Sequence, residues 1–128
     1  MMEWIACIDV RKYRGISPCI RSGAVVLTDN QREHIIARRG QLFYDCYSPF
    51  FRETAEDPDY IFRDKAHENT AIASKTISTG EKHINLVIRL AVAGDREGLE
   101  NSIITAIVEN DRRYRQRVRN NFALYKKE

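Results

Sequence analysis

His34 is the residue around which chemistry in this chain can be built, because imidazole is the side chain that gains and loses a proton closest to neutral pH. Arg38 lies one helical turn further on, so on a helix the two share a face and a titratable ring stands beside a fixed cation. Lys75 and Arg89 fall in stretches with strand-like alternation, and Ser102 and Thr105 bring hydroxyls to a later one. This inventory suits metal-independent cleavage of a phosphodiester. RNA carries its own nucleophile, the 2′-hydroxyl, so the protein needs only a base for that proton, an acid for the leaving 5′-oxygen, and cations or hydroxyls to stabilise the charged phosphorane. DNA lacks that hydroxyl, which makes RNA the expected substrate. His34 would move the proton, while Arg38, Lys75 and Arg89 would hold phosphate oxygens, arginine through forked contacts.

Other chemistries find little support. Neither a GxGxxG nor a GxxxxGK[ST] phosphate loop occurs, and no GxSxG elbow frames a serine. His34, His67 and His83 are far apart, and the acids near them, Glu33, Glu68 and Glu81, lack ligand spacing, so no metal and no cofactor is expected. Cys7, Cys19 and Cys46 are odd in number and form no CxxC pair, which argues against both a disulfide framework and a zinc site. A chain of 128 residues, 43% hydrophobic and 30% charged, suits a single domain over residues 1–128, with 1–24 as an N-terminal extension. No apolar run approaches the roughly 20 residues a bilayer span needs. The opening Met-Met-Glu-Trp-Ile-Ala-Cys-Ile-Asp carries an acid where a signal peptide needs basic residues, so a cytoplasmic location is expected.

The net charge of +3 is unevenly spread. From Arg112 to Lys127 the chain holds Arg112, Arg113, Arg115, Arg117, Arg119, Lys126 and Lys127 without a single acid. Such a segment meets phosphates, and Arg113, Arg115, Arg117, Arg119 and Lys126, with Arg39 beside the histidine, are the candidate RNA-binding residues. A solvated helix face would have the same composition.

The elements that must position these groups follow from pattern. Thr28 or Asp29 caps a helix that Gly40 ends, and Ser22 to Leu27 reads as its extended entry. Trp4 to Val10 reads as a strand more readily than a helix, and the aromatics around Pro49 form a second helical piece against the sheet. Short strands follow Asp57 and His67, Ser78 to Glu81 is a hairpin turn, and KHINLVIRLAV is the longest strand. There Ile84, Leu86, Ile88 and Leu90 face the core, with His83, Asn85, Val87 and Arg89 opposite. In the next strand, alternation puts Asn101, Ile103, Thr105 and Ile107 on one side and Ser102, Ile104, Ala106 and Val108 on the other. Ser102 and Thr105 can therefore serve one site only across a bulge. Asn110 caps a basic helix, and FALYKKE closes the chain as an edge strand. Helices followed by strands imply an α+β fold, with N-terminal helices packed on an antiparallel sheet of about four to five strands and a basic C-terminal helix.

The ordered series HIIARR (34–39), DPDYI (57–61), NTAIASKTI (69–77), LVIRL (86–90), ENSIITAI (100–107) and the closing RVRNNFALYKKE resembles the phage-associated nucleases of the barnase, EndoU, colicin and RelE-like (BECR) superfamily, from about Val25 onward. The resemblance implies a curved sheet with a metal-independent endoribonuclease site on its concave face. His34 and Arg38 match the family's helix motif, Arg89 its strand arginine, and Ser102 and Thr105 its penultimate-strand hydroxyls. Lys75, Arg119 and Tyr125 match further recurring positions. The sequence departs at Arg39, where relatives carry a second histidine, and at Gly40, where proline is usual; Tyr125 or Lys75 would then supply the other proton. A toxin or phage-associated effector, held in check by an inhibitor or immunity protein, is implied as well. A non-catalytic RNA-binding or phage morphogenesis module of the same fold is the alternative.

Overall fold

In the computed structural model, residues 1–77 and 80–128 are described. Of the hairpin turn expected over Ser78 to Glu81, Ser78 and Thr79 lie outside them. The strands are β1 (Met2–Cys7), β2 (Ala24–Thr28), β3 (Tyr60–Arg63), β4 (Thr70–Ile77), β5 (Lys82–Arg89), β6 (Asn101–Asn110) and β7 (Tyr125–Lys126), with β-branched residues concentrated in β2, β4, β5 and β6. Among the described residues they form one seven-stranded sheet in the order β1-β2-β6-β5-β4-β3-β7. The helices are short: α1 (Asp29–Arg39), α2 (Gln41–Tyr47), α3 (Phe51–Glu56) and α4 (Asp111–Asn120). A 3-10 turn at Ser48–Phe50, with Pro49 in it, separates α2 from α3.

The fold is α+β, but it is not one of N-terminal helices packed on a four- or five-stranded antiparallel sheet. The difference lies in the sheet. The Val-rich run before α1 is not a mere helix entry: β2 pairs antiparallel with β1 and parallel with β6, which makes the sheet mixed. The first and last residues are strands, as their patterns implied, β1 at one edge and β7 against β3 at the other. β6, at 10 residues, is also longer than β5, at 8.

Ile61, Ala71, Ala73, Ile84, Leu86, Ile88, Ile103 and Ala106 share the sheet face that meets Ile16, Phe51 and Ala55 in the main hydrophobic core. Tyr13 is fully buried there and donates its hydroxyl to Ala55 O at 2.6 Å; burial pushes its phenol well above the usual range. α1 begins where Thr28 Oγ1 accepts the Gln31 N–H at 3.1 Å, and it ends at Gly40, whose φ of 99° suits glycine. Ile35 buries fully in the core, which leaves the neighbouring face of α1 to its polar residues.

The opposite sheet face is decided by a bulge. Val87 pairs with Thr105, yet Ile88 pairs with Ile103 and Arg89 with Ser102, so Ile104 is the extra residue of β6. Strict alternation across β6 therefore fails. Thr105, set opposite Val87, and Ser102, set opposite Arg89, lie on the same face, and the expected sharing of a face by Asn101 and Thr105 is corrected.

Candidate functional site

On that face a cleft of about 720 Å³ opens across β4, β5 and β6. Its floor is largely apolar, with Ile72, Val87, Ile104 and Ile107, and Thr105 sets a hydroxyl in it. One wall is α1, which presents His34, Arg38 and Arg39. The other is the β3–β4 connection from Asp64 to Glu68, with His67. All three α1 side chains are exposed and make no ion pair or side-chain hydrogen bond among the described residues. Two free guanidinium groups and an imidazole thus stand over an apolar floor, an arrangement that can take a phosphate at the wall and a flat ring below it.

Arg89 reaches the rim of the same cleft but is already engaged. Its guanidinium meets Asp95 through two nitrogens, at 3.1 Å to Oδ1 and 3.3 Å to Oδ2, and also donates to Leu90 O. The Val92 N–H donates to Asp95 at 2.8 Å and, together with Arg89, holds that carboxyl below the usual carboxylate range. Asn101, fully buried, ties the connection to the sheet by accepting the Ala91 N–H at 2.7 Å and donating to Ser22 O and Ala24 O. Arg89 is therefore a clamp on the β5–β6 connection and does not offer an open fork to a phosphate. Ser102, half-buried beside it, does not line the cleft.

Lys75 and Tyr125 are elsewhere. Lys75 pairs with Ile84 on the core face, where its Nζ donates to Asp57 O at 2.8 Å and Asp57 Oδ2 at 3.2 Å, with Glu53 and Asp59 at 4.0 Å. Lys127 also reaches Asp57, at 2.8 Å, and these two ammonium groups, Lys127 foremost, lower the carboxyl's pKa. Tyr125 pairs with Ile61 and packs against the core beneath Lys12, whose Nζ lies 5.6 Å from the ring centre. Neither can exchange a proton with a group bound in the cleft. Lys126 is exposed on the edge strand β7.

The arginines of α4 divide in the same way. Arg115 pairs with Asp111 at 2.9 Å, and Arg117 grips Glu109 with contacts of 2.7 and 3.2 Å. Burial alone would raise the Glu109 carboxyl, but the Arg117 guanidinium and the Asn85 amide hold it below its ordinary value. Arg113 shares a groove with Arg117, Asn120 and Asn121 that meets the cleft at Ile107. Arg119 lies instead beside His83 and Tyr114, whose rings stack 3.9 Å apart and seat the helix on the sheet.

Spacing rules passed over His67 and Asp64. The Asp64 carboxylate stands 3.2 Å from His67 Nδ1, and its other oxygen accepts the Ala66 N–H at 2.9 Å. The Asp-x-x-His spacing in DKAHE was the available signal, but only the β3–β4 pairing brings it across from His34. Among the described residues no three His, Cys, Asp or Glu side chains group to hold a metal ion, and no helix is long and apolar enough to cross a membrane. No family model, curated protein or solved structure matches the chain.

Proposed function

We propose that the protein is a metal-independent endoribonuclease whose site is the cleft between α1 and the β3–β4 connection. The observation that carries this reading is the meeting of His34, Arg38 and Arg39 over a floor holding Thr105 and an apolar surface. Arg38 and Arg39 would hold the scissile phosphate, His34 would take the 2′-hydroxyl proton, and Thr105 would donate to a phosphorane oxygen. The apolar floor suits a nucleobase. The order of motifs that resembles that of the phage-associated BECR nucleases supports the same chemistry. The free, exposed Cys7, Cys19 and Cys46 fit a reducing cytoplasm, where such an activity would call for an inhibitor or immunity protein.

Incubation of purified protein with mixed cellular RNA in EDTA tests the reading. Cleavage is expected, slowed about 10²- to 10⁴-fold by His34→Ala. RNA that stays intact would reject it. Retention on RNA with a steep salt dependence but no cleavage would favour a non-catalytic RNA-binding module, such as a phage morphogenesis component, for which the free arginines beside His34 are the supporting observation.

A further inference from the structure

Resting on the ribonuclease reading of the cleft, we propose that His67 is the second catalytic residue, the acid that protonates the leaving 5′-oxygen, with Asp64 as its positioning residue. Cleavage by 2′-hydroxyl attack needs two proton transfers on opposite sides of the phosphorus, and α1 supplies one imidazole only. His67 stands on the facing wall of the same cleft as His34. Its side chain is 72% exposed, too open to be a core histidine, yet its ring is fixed.

The fixing is specific. An ionised carboxylate only accepts hydrogen bonds, so at 3.2 Å from Asp64 Oδ2 the Nδ1 of His67 must be the donor. Nε2, which has no hydrogen-bond partner among the described residues, is left to exchange a proton with the cleft. Asp64 is itself immobilised: its side chain is 19% exposed, Oδ1 accepts the Ala66 N–H at 2.9 Å, and its backbone N–H donates to Thr70 O at 3.0 Å. A carboxylate held this way orients the ring and balances the imidazolium, as second-residue partners of catalytic histidines do.

The step balances. The 2′-oxygen forms a bond to phosphorus and its proton passes to His34. The bond from phosphorus to the 5′-oxygen breaks, and the Nε2 proton of His67 goes to that oxygen. The products are a 2′,3′-cyclic phosphate and a free 5′-hydroxyl, and exchange with water resets both rings.

The test uses an RNA oligonucleotide cut by the wild type and a matched one with sulfur in place of the bridging 5′-oxygen at the cut position, because a thiolate leaves without a proton. His67→Ala should lose about 10²- to 10⁴-fold on the oxygen substrate and less than about tenfold on the sulfur one. His34→Ala should lose on both. Asp64→Asn keeps an acceptor for the Ala66 N–H and should show a smaller, roughly tenfold loss, again confined to the oxygen substrate. An unchanged rate for His67→Ala on the oxygen substrate, or equal losses on both substrates, would overturn the assignment of His67 while leaving the ribonuclease reading in place. A wild type that cuts no RNA offered to it, so that no such oligonucleotide is found, would overturn both. Melting temperatures equal to the wild type's are expected for the His67 variant, given its exposure.

Discussion

Removal of one carboxylate should loosen α4, the helix whose groove adjoins the cleft at Ile107. Glu109 on β6 links the sheet to α4: it accepts the Asn85 amide and both donors of Arg117, while Ser74 donates to Asn85 in turn. Glu109→Ala leaves the fully buried Asn85 amide without that acceptor, at a cost of about 1–3 kcal/mol. The Arg117 side chain is 26% exposed and can turn toward water, so the lost ion pair adds at most about 1 kcal/mol. The expected total is about 2–3 kcal/mol. With an unfolding entropy near 2.1 cal/mol/K per residue over 128 residues, that lowers the melting temperature by roughly 10 °C in scanning calorimetry. Because Asn85→Ala removes the same bond, the double variant should lose less than the two single losses added together. A fall below about 2 °C for Glu109→Ala would refute the view that this buried chain fastens α4 to the sheet.

Three further outcomes follow from the geometry. Arg38→Ala and Arg39→Ala should each weaken RNA binding and flatten the plot of log affinity against log salt by about 0.7, the contribution of one phosphate contact to a single strand, measurable by fluorescence anisotropy. The Asp57 carboxyl has its pKa lowered in the fold by Lys127 and Lys75, so its stabilisation is fully present above the ordinary carboxylate value and is lost as pH falls through the folded one. Asp57→Asn should accordingly flatten the loss of thermal stability between about pH 5 and pH 3, followed by circular dichroism. Deletion of Ile104 would remove the bulge yet keep Ile103 opposite Ile88 and Thr105 opposite Val87, so the chain should still fold, with a far-ultraviolet circular dichroism spectrum like the wild type's, while the loss of a cleft-lining side chain should weaken RNA cleavage; Ile104→Val should leave both nearly intact.

Local signals reached the site further than the architecture. The α1 wall was legible because capping by Thr28, the stop at Gly40 and the four-residue spacing of His34 and Arg38 are all properties of a single helix. Arg89 and Thr105 were placed in strands by alternation, and both line the cleft. What alternation lacks is a count of residues opposite a bulge: the extra Ile104 shows only in the pairing with β5. The same limit applies to Lys75, whose neighbours Asp57 and Glu53 belong to another element, and to Arg89, whose charge is met by Asp95 from a connection of no regular structure. The sheet was underestimated because β2, five residues that lead straight into α1, gains its strand character only from pairing with β1 and β6. His67 stayed hidden because its partner across the cleft is separated from it by α2, α3 and β3.

The chemistry of the cut ends tests the central claim most directly. RNA cleaved in EDTA by the wild-type protein should carry 2′,3′-cyclic phosphate and 5′-hydroxyl termini, and DNA of the same sequence should survive intact. Ends bearing a 5′-phosphate and a 3′-hydroxyl, or equal cleavage of the DNA, would contradict it.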